Sequence, residues 1–308
     1  MQVYDSVLDT VGNTPLVRLC RVEKALGLHA ELLAKIESRN PGGSAKDRVA
    51  LEMIRQAERD GRLKPGGTII EATSGNTGVG LALAAAVLGY HVILTMPETM
   101  SMERRKLLSG FGAKLVLTPG SEGMAGANAK AEELFNGTPN SIRAFQFENE
   151  ANPNAHEQST GVEIWNDTDG TVDMFVATAG TCGTLVGTAR CLKKRNPAIT
   201  VIGVEPKESP LLTEGYAGAH GIQGIGANFV PKVYDASVVD RVVTVSTEDS
   251  YETAKLLMRT EGILCGISSG AAVRAAIEAA GCPESAGKRI VALLPDTGER
   301  YLSTKLFD

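Results

Sequence analysis

Thr68-Ile69-Ile70-Glu71-Ala72 runs directly into Thr73-Ser74-Gly75-Asn76-Thr77-Gly78, and a helix-like stretch over 77–89 follows. An apolar run, a turn of glycine and hydroxyl residues, and then a helical pattern mark a strand feeding a helix. The pattern recurs, with His91–Met96 leading into 101–109 and Lys114–Thr118 into 124–135. Such alternation predicts an α/β lobe with a parallel sheet. Arg143–Phe147 is expected to close that sheet, and the polar segment Glu148–Pro153 to cross to a second lobe of the same architecture. There Val172–Thr178, Thr200–Glu205, Val242–Ser246 and Ile290–Leu294 read as strands, with helices from about Thr184, across 248–262 and from Ser269. Glu31–Glu37 is expected as a further strand near the start of the chain, and the Gly- and Ala-rich run 215–227 as a functional loop.

Ligands of parallel sheets sit beyond the carboxyl ends of the strands, and a glycine-rich helix start there offers backbone N–H groups to an anion. Thr73–Gly78 is one such loop, and Gly180-Thr181-Cys182-Gly183-Thr184 is another. Each could equally be a tight turn with an N-cap. A third segment, Asn40-Pro41-Gly42-Gly43-Ser44-Ala45-Lys46-Asp47-Arg48, places a lysine in the first turn of a helix, where the dipole disfavours a cation. Ser44 and Asp47 resemble a capping box, with Val49, Met53, Ile54 and Ala57 on one helical face. Lys46 is either a solvated lysine or a desolvated one able to attack an aldehyde. One lysine with two anion loops points to pyridoxal 5'-phosphate.

Composition narrows the partners. At 308 residues, 43% hydrophobic and 22% charged, the chain is of globular type, and a net charge of -5 gives no basic footprint for nucleic acid or an anionic membrane. The five cysteines are scattered without metal spacing, and His29, His91, His156 and His220 are dispersed, so no metal is expected and the histidines read as structural or surface residues. The first ten residues lack a secretory pattern, so a cytoplasmic location is expected.

The chain resembles the cysteine synthases (O-acetylserine sulfhydrylases, A-type) of the fold type II, tryptophan synthase β-like pyridoxal-phosphate enzymes. The resemblance is carried by Val11-Gly12-Asn13-Thr14-Pro15-Leu16, the Lys46 segment, the Asn76 loop, Gln146-Phe147, the Gly180 loop, Gln223-Gly224-Ile225-Gly226-Ala227, Gly266-Ile267-Ser268-Ser269-Gly270 and Gly298-Glu299-Arg300-Tyr301. It implies two α/β lobes with mainly parallel twisted sheets and an active site in the cleft between them. Residues 36–149, with 1–12, would form a smaller, mobile domain carrying Lys46 and the Asn76 loop. Residues 13–35 and 150–308 would form the larger one, carrying the phosphate loop and Ser268.

The resemblance also implies roles. Lys46 holds the cofactor and moves the α-proton, Asn76 bonds the ring hydroxyl, Gly180, Thr181, Cys182, Gly183 and Thr184 take the phosphate, and Ser268 faces the pyridine nitrogen. Thr73, Ser74, Gly75, Thr77 and Gln146 would hold the substrate carboxylate, with Gly224 also on the substrate side. The family has glycine where this chain has Cys182. Ser268 could be an N-cap as well, a role compatible with facing the ring, and Asp296 is left as a turn-capping residue without an assigned role. A neutral serine makes the ring a weaker electron sink and favours β-elimination and β-replacement. The implied reaction converts O-acetyl-L-serine and sulfide to L-cysteine and acetate, ping-pong through an α-aminoacrylate, in a homodimer that could also dock the tail of serine acetyltransferase. Cystathionine β-synthase, serine dehydratase and other β-replacement enzymes, such as an isozyme fed by a larger sulfur donor, are the alternatives. The Gln223–Ala227 segment argues against them, because related enzymes taking bulkier donors carry arginine there.

Overall fold

The computed structural model describes residues 3–308, which fold as two compact units. One comprises the described part of Met1–Val11 with Asn40–Asn152, and the other comprises Gly12–Arg39 with Pro153–Asp308. The division falls a few residues beyond the expected 36 and 149. Glu37 stays with the second unit because its buried carboxylate accepts from Thr14 Oγ1 at 2.6 Å, and Asn152 stays with the first because its Nδ2 donates to Gln146 O at 2.7 Å.

In chain order the second unit opens with β1 (Leu16–Arg18), α1 (Cys20–Leu26) and β2 (Glu31–Ile36). The first unit then follows as α2 (Lys46–Arg59), β3 (Thr68–Ala72), α3 (Asn76–Leu88), β4 (His91–Pro97), α4 (Met102–Gly110), β5 (Lys114–Thr118), α5 (Gly123–Gly137) and β6 (Ser141–Arg143). A short helix, α6 (Ala151–Ala155), spans the boundary. The second unit resumes with α7 (Gly161–Asp167), β7 (Met174–Thr178), α8 (Gly183–Arg195), β8 (Thr200–Pro206), β9 (Arg241–Val245), α9 (Thr247–Glu261), α10 (Ile267–Ala280) and β10 (Arg289–Leu294).

The first unit holds a four-stranded sheet ordered β5-β4-β3-β6, parallel throughout. The second holds a six-stranded sheet ordered β1-β2-β10-β7-β8-β9, parallel except where β1 runs antiparallel to β2. Strand alternation splits the second core over two faces. Ile290, Ala292 and Leu294 of β10 join Met174 and Val176 of β7 on one side, against α9 and α10, while Val291, Leu293, Phe175 and Ala177 join Leu185, Ala189 and Leu192 of α8 on the other. Both faces are covered, so these strands read as continuous apolar runs. Each large side chain buried this way contributes about 1.5–3 kcal/mol. In the first unit Ile69, Val92, Leu94, Met96 and Ile142 face α2 and α3, and Ile70 and Ala72 face α5.

The expected closing strand, Arg143–Phe147, is displaced toward the N-terminus: β6 is Ser141–Arg143, sharing only Arg143 with it, and Phe145 has φ 51, a left-handed backbone that no strand continues through. Among the described residues no helix is long and apolar enough to cross a membrane.

Candidate active site

Lys46 is the first residue of α2 and is half-buried. The expected Ser44–Asp47 capping box is not formed: the N-cap is Ala45 and its side chain makes no cap bond. Asp47 turns back instead, its Oδ2 accepting from Gly42 N–H at 2.6 Å, while Lys46 N–H donates to Ser44 Oγ at 3.2 Å. A Cβ on Gly42 would lie 2.4 Å from Asp47 Oδ1, so a side chain there would displace the Asp47 carboxylate that holds the turn. Behind the lysine, Gly80 of α3 lets two helices meet closely, since a Cβ there would be 2.7 Å from Lys46 O. Turn and helix crossing together fix the backbone that carries the amine.

The Asn76 loop lies in the same unit. Gly75 is the N-cap of α3 and makes no side-chain cap bond, and the first turn has no acidic residue. The N-cap residue itself therefore supplies no hydroxyl to the helix start. Thr73 Oγ1 accepts from Gly75 N–H at 3.3 Å, Ser74 Oγ lies 2.9 Å from Met100 Sδ, and Thr77 Oγ1 donates to Gln146 Oε1 at 2.6 Å. The structure thus brings Thr77 and Gln146 together across 69 positions of sequence.

In the second unit Cys182 is the N-cap of α8 and has φ 65, the left-handed conformation that glycine adopts freely. Its thiol is buried with Ala179 and Val186, against Leu212, Tyr234 and Val238. Gly180 packs under the 215–227 loop: an added Cβ would sit 2.5 Å from Gly224 O, and Gly226 N–H donates to Ala179 O at 3.1 Å. Thr184 Oγ1 is 3.0 Å from His156 Nε2, and His156 Nδ1 is 2.9 Å from Thr160 Oγ1 within the π-helical turn His156–Thr160. His156 is fully buried, a structural role its scattered place in the sequence gave no reason to connect with Thr184.

Ser268 is the second residue of α10, whose N-cap is Gly266 without a side-chain cap bond, so the expected N-cap role of Ser268 does not hold. Asp296 is buried and accepts from Tyr301 Oη at 2.7 Å. Gly266 is required beside it, since a Cβ there would lie 2.0 Å from Asp296 Oδ1.

The helices differ in how they begin, and α5, which also lacks a cap bond and a first-turn acid, has the carboxylate residue Glu122 at its cap. α9 and α4 are capped by Ser246 and Ser101 and carry acidic residues in their first turns. α3, α8 and α10 have glycine or cysteine at the cap, no cap bond and no first-turn acid. The last turn of α8 holds Lys193, Lys194 and Arg195, which complement its other end. At α8 the Gly183 N–H is taken by Thr181 Oγ1 at 3.4 Å, but a helix start rich in N–H and hydroxyl groups and free of carboxylate still suits a phosphate or carboxylate ligand. The residues present therefore fit a phosphate at α8, a substrate carboxylate at α3, and an aldehyde at the Lys46 amine.

Two parallel α/β units with these helix starts and a lysine set in a glycine turn define a class. The family described as "Pyridoxal-phosphate dependent enzyme" matches residues 7–296, and the chain belongs to it. Within that family the chain is similar over its whole length to cysteine synthases. It is 51% identical to the cysteine synthase of Haemophilus influenzae, covering 100% of this chain and 99% of that protein. The crystal structure of cysteine synthase from Entamoeba histolytica matches with a TM-score of 0.97 at 46% identity, covering 99% of this chain and 91% of the other. O-ureido-L-serine synthase matches with a TM-score of 0.94 at 46% identity, over 100% and 96%.

Proposed function

We propose that the chain makes L-cysteine and acetate from O-acetyl-L-serine and sulfide. The observation that carries this reading is the pair of acid-free helix starts without a side-chain bond from the cap residue, α3 in one unit and α8 in the other, alongside the glycine-set Lys46 of the first unit. When bound, pyridoxal phosphate supplies the electron sink that loosens the α-proton and lets a β-substituent leave. Gly180, Thr181, Cys182, Gly183 and Thr184 would hold its phosphate, Asn76 its ring hydroxyl, and Ser268 its ring nitrogen. Lys46 would hold its aldehyde end, and the same amine takes the proton from the substrate Cα and later returns it. Thr73, Ser74, Gly75, Thr77 and Gln146 orient the amino-acid carboxylate, with Gly224 on the substrate side.

Ser268 is neutral, so it does not hold the ring nitrogen protonated, and prompt loss of acetate is favoured over other fates of the α-carbon. The reading extends to a homodimer in the cytoplasm, with docking of a serine acetyltransferase tail as a secondary property. The test supplies O-acetylserine alone and then sulfide to the purified, cofactor-loaded protein. Acetate released in the first stage and cysteine in the second support the reading. Product with homocysteine but none with sulfide would assign the chain to cystathionine β-synthase chemistry.

A further inference from the structure

β6 stops at Arg143, yet the next three residues place Gln146 against Thr77. The pairing of β3 with β6 ends at Ile70 and Arg143. Beyond it the backbone N–H groups of Ala144 and Phe145 both donate to one oxygen, Glu71 Oε2, at 3.1 and 3.2 Å. A side chain of β3 has replaced the next rung of the ladder. Phe145 then turns at φ 51, and its carbonyl accepts from Glu148 and Asn149 N–H, both at 2.9 Å. Asn149 Nδ2 donates to Ala144 O at 2.9 Å, and Asn152 Nδ2 to Gln146 O at 2.7 Å. Gln146 is thus held on one side by this turn and on the other by Glu71.

A glutamate only 4% exposed on a strand is a costly choice for structure alone. Arg143 lies beside it, stacked 4.6 Å over the Phe145 ring and paired with Glu132 at 2.9 Å. Glu71 also immediately precedes Ala72 and the Thr73–Thr77 loop in sequence. One side chain therefore couples the two segments read above as the carboxylate site.

We propose that Glu71 is a positioning residue for the amino-acid substrate: by holding the Ala144 and Phe145 amides it sets Gln146 in register with the Thr73–Thr77 loop. The proposal rests on the reading of that loop and Gln146 as the carboxylate site. In a two-stage reaction, kcat/KM for O-acetylserine reports the first stage and kcat/KM for sulfide the second. Glu71→Met keeps volume and removes the acceptor. It should lower kcat/KM for O-acetylserine by about tenfold or more, leave kcat/KM for sulfide and cofactor content unchanged, and speed hydrogen exchange at the Ala144 and Phe145 amides. Glu71→Gln keeps an acceptor oxygen and should restore both amide protection and the first-stage constant. If Glu71→Met does not fold, Glu71→Asp, with its carboxylate withdrawn by one methylene, carries the same expectations.

Gln146→Ala serves as the control. Should Gln146→Ala leave the first-stage constant unchanged, the carboxylate reading fails and the proposal falls with it. Should Gln146→Ala be impaired while Glu71→Met, or Glu71→Asp in its place, matches the parent or lowers both stages equally, the proposal alone is overturned.

Discussion

Cys182 sets two opposing residue-scale effects against each other. A side chain at φ 65 costs about 1–2 kcal/mol relative to glycine, while burying its methylene and sulfur regains roughly 1 kcal/mol. Cys182→Gly should therefore change unfolding free energy by less than about 1 kcal/mol and leave cofactor affinity intact, because the backbone N–H groups remain. Cys182→Val, branched at Cβ, should lose about 1–3 kcal/mol. Denaturant titration with and without cofactor checks both, and a glycine variant that no longer binds cofactor would put the thiol itself in the cradle. Glu71 gives a pH prediction. Burial raises its carboxyl, opposed by the Arg143 charge and the two amide bonds. A carboxyl raised in the folded state contributes stability at low pH that is lost as pH climbs through its folded value. Glu71→Gln should accordingly have a higher urea midpoint than the parent at pH 7, with the gap closing as pH falls below the ordinary carboxylate range. A gap that widens on acidification would contradict the burial argument.

At the scale of elements, α2 and α3 cross closely at Gly80, against the backbone of Lys46. Gly80→Ala gains about 1 kcal/mol of helix propensity but forces a methyl against Lys46 O and Ala50 Cβ, at 2.7 and 2.9 Å, an overpacking that costs about 1–3 kcal/mol. A lower Tm with weakened retention of cofactor is expected, whereas Gly137→Ala, at the end of α5 with nothing within 4 Å, should be neutral or stabilising. Equal behaviour of the two variants would show that the crossing does not matter. The parallel strands were legible because both sheet faces are covered and the runs are apolar; the helix caps were not. Ser44, Thr73 and Ser268 have cap-forming side chains, yet Ala45, Gly75 and Gly266 take the caps. Local chemistry allows either choice, and only the tertiary path of the turn decides it. The end of β6 was hidden for a similar reason, since the partner that takes over from the ladder is a side chain 73 positions away. His156 and Thr184, 28 positions apart, were likewise joined only by the fold.

For the whole molecule, the proposed roles are divided between two units with separate cores: the aldehyde and carboxylate groups of the ligands fall to the first, and the phosphate and ring nitrogen to the second. This division is testable without measuring turnover. Borohydride reduction of the cofactor-loaded protein should fix a pyridoxyl group on Lys46, found by peptide mass analysis. Lys46→Ala should still bind the cofactor through the phosphate loop but yield no fixed label. Thr184→Val removes a hydroxyl from α8 and also breaks its bond to His156 Nε2. Losing one hydrogen bond to a charged group costs about 1.5–3 kcal/mol, or roughly ten- to a hundredfold in affinity. That variant should therefore need more cofactor to saturate, while at saturation the label still goes to Lys46, because the changed residue lies in the unit that anchors and not in the one that reacts. Label on a different lysine in the parent protein would refute the assignment of Lys46. Unchanged cofactor affinity in Thr184→Val would remove that hydroxyl from the phosphate cradle and leave its bond to His156 as a purely structural one.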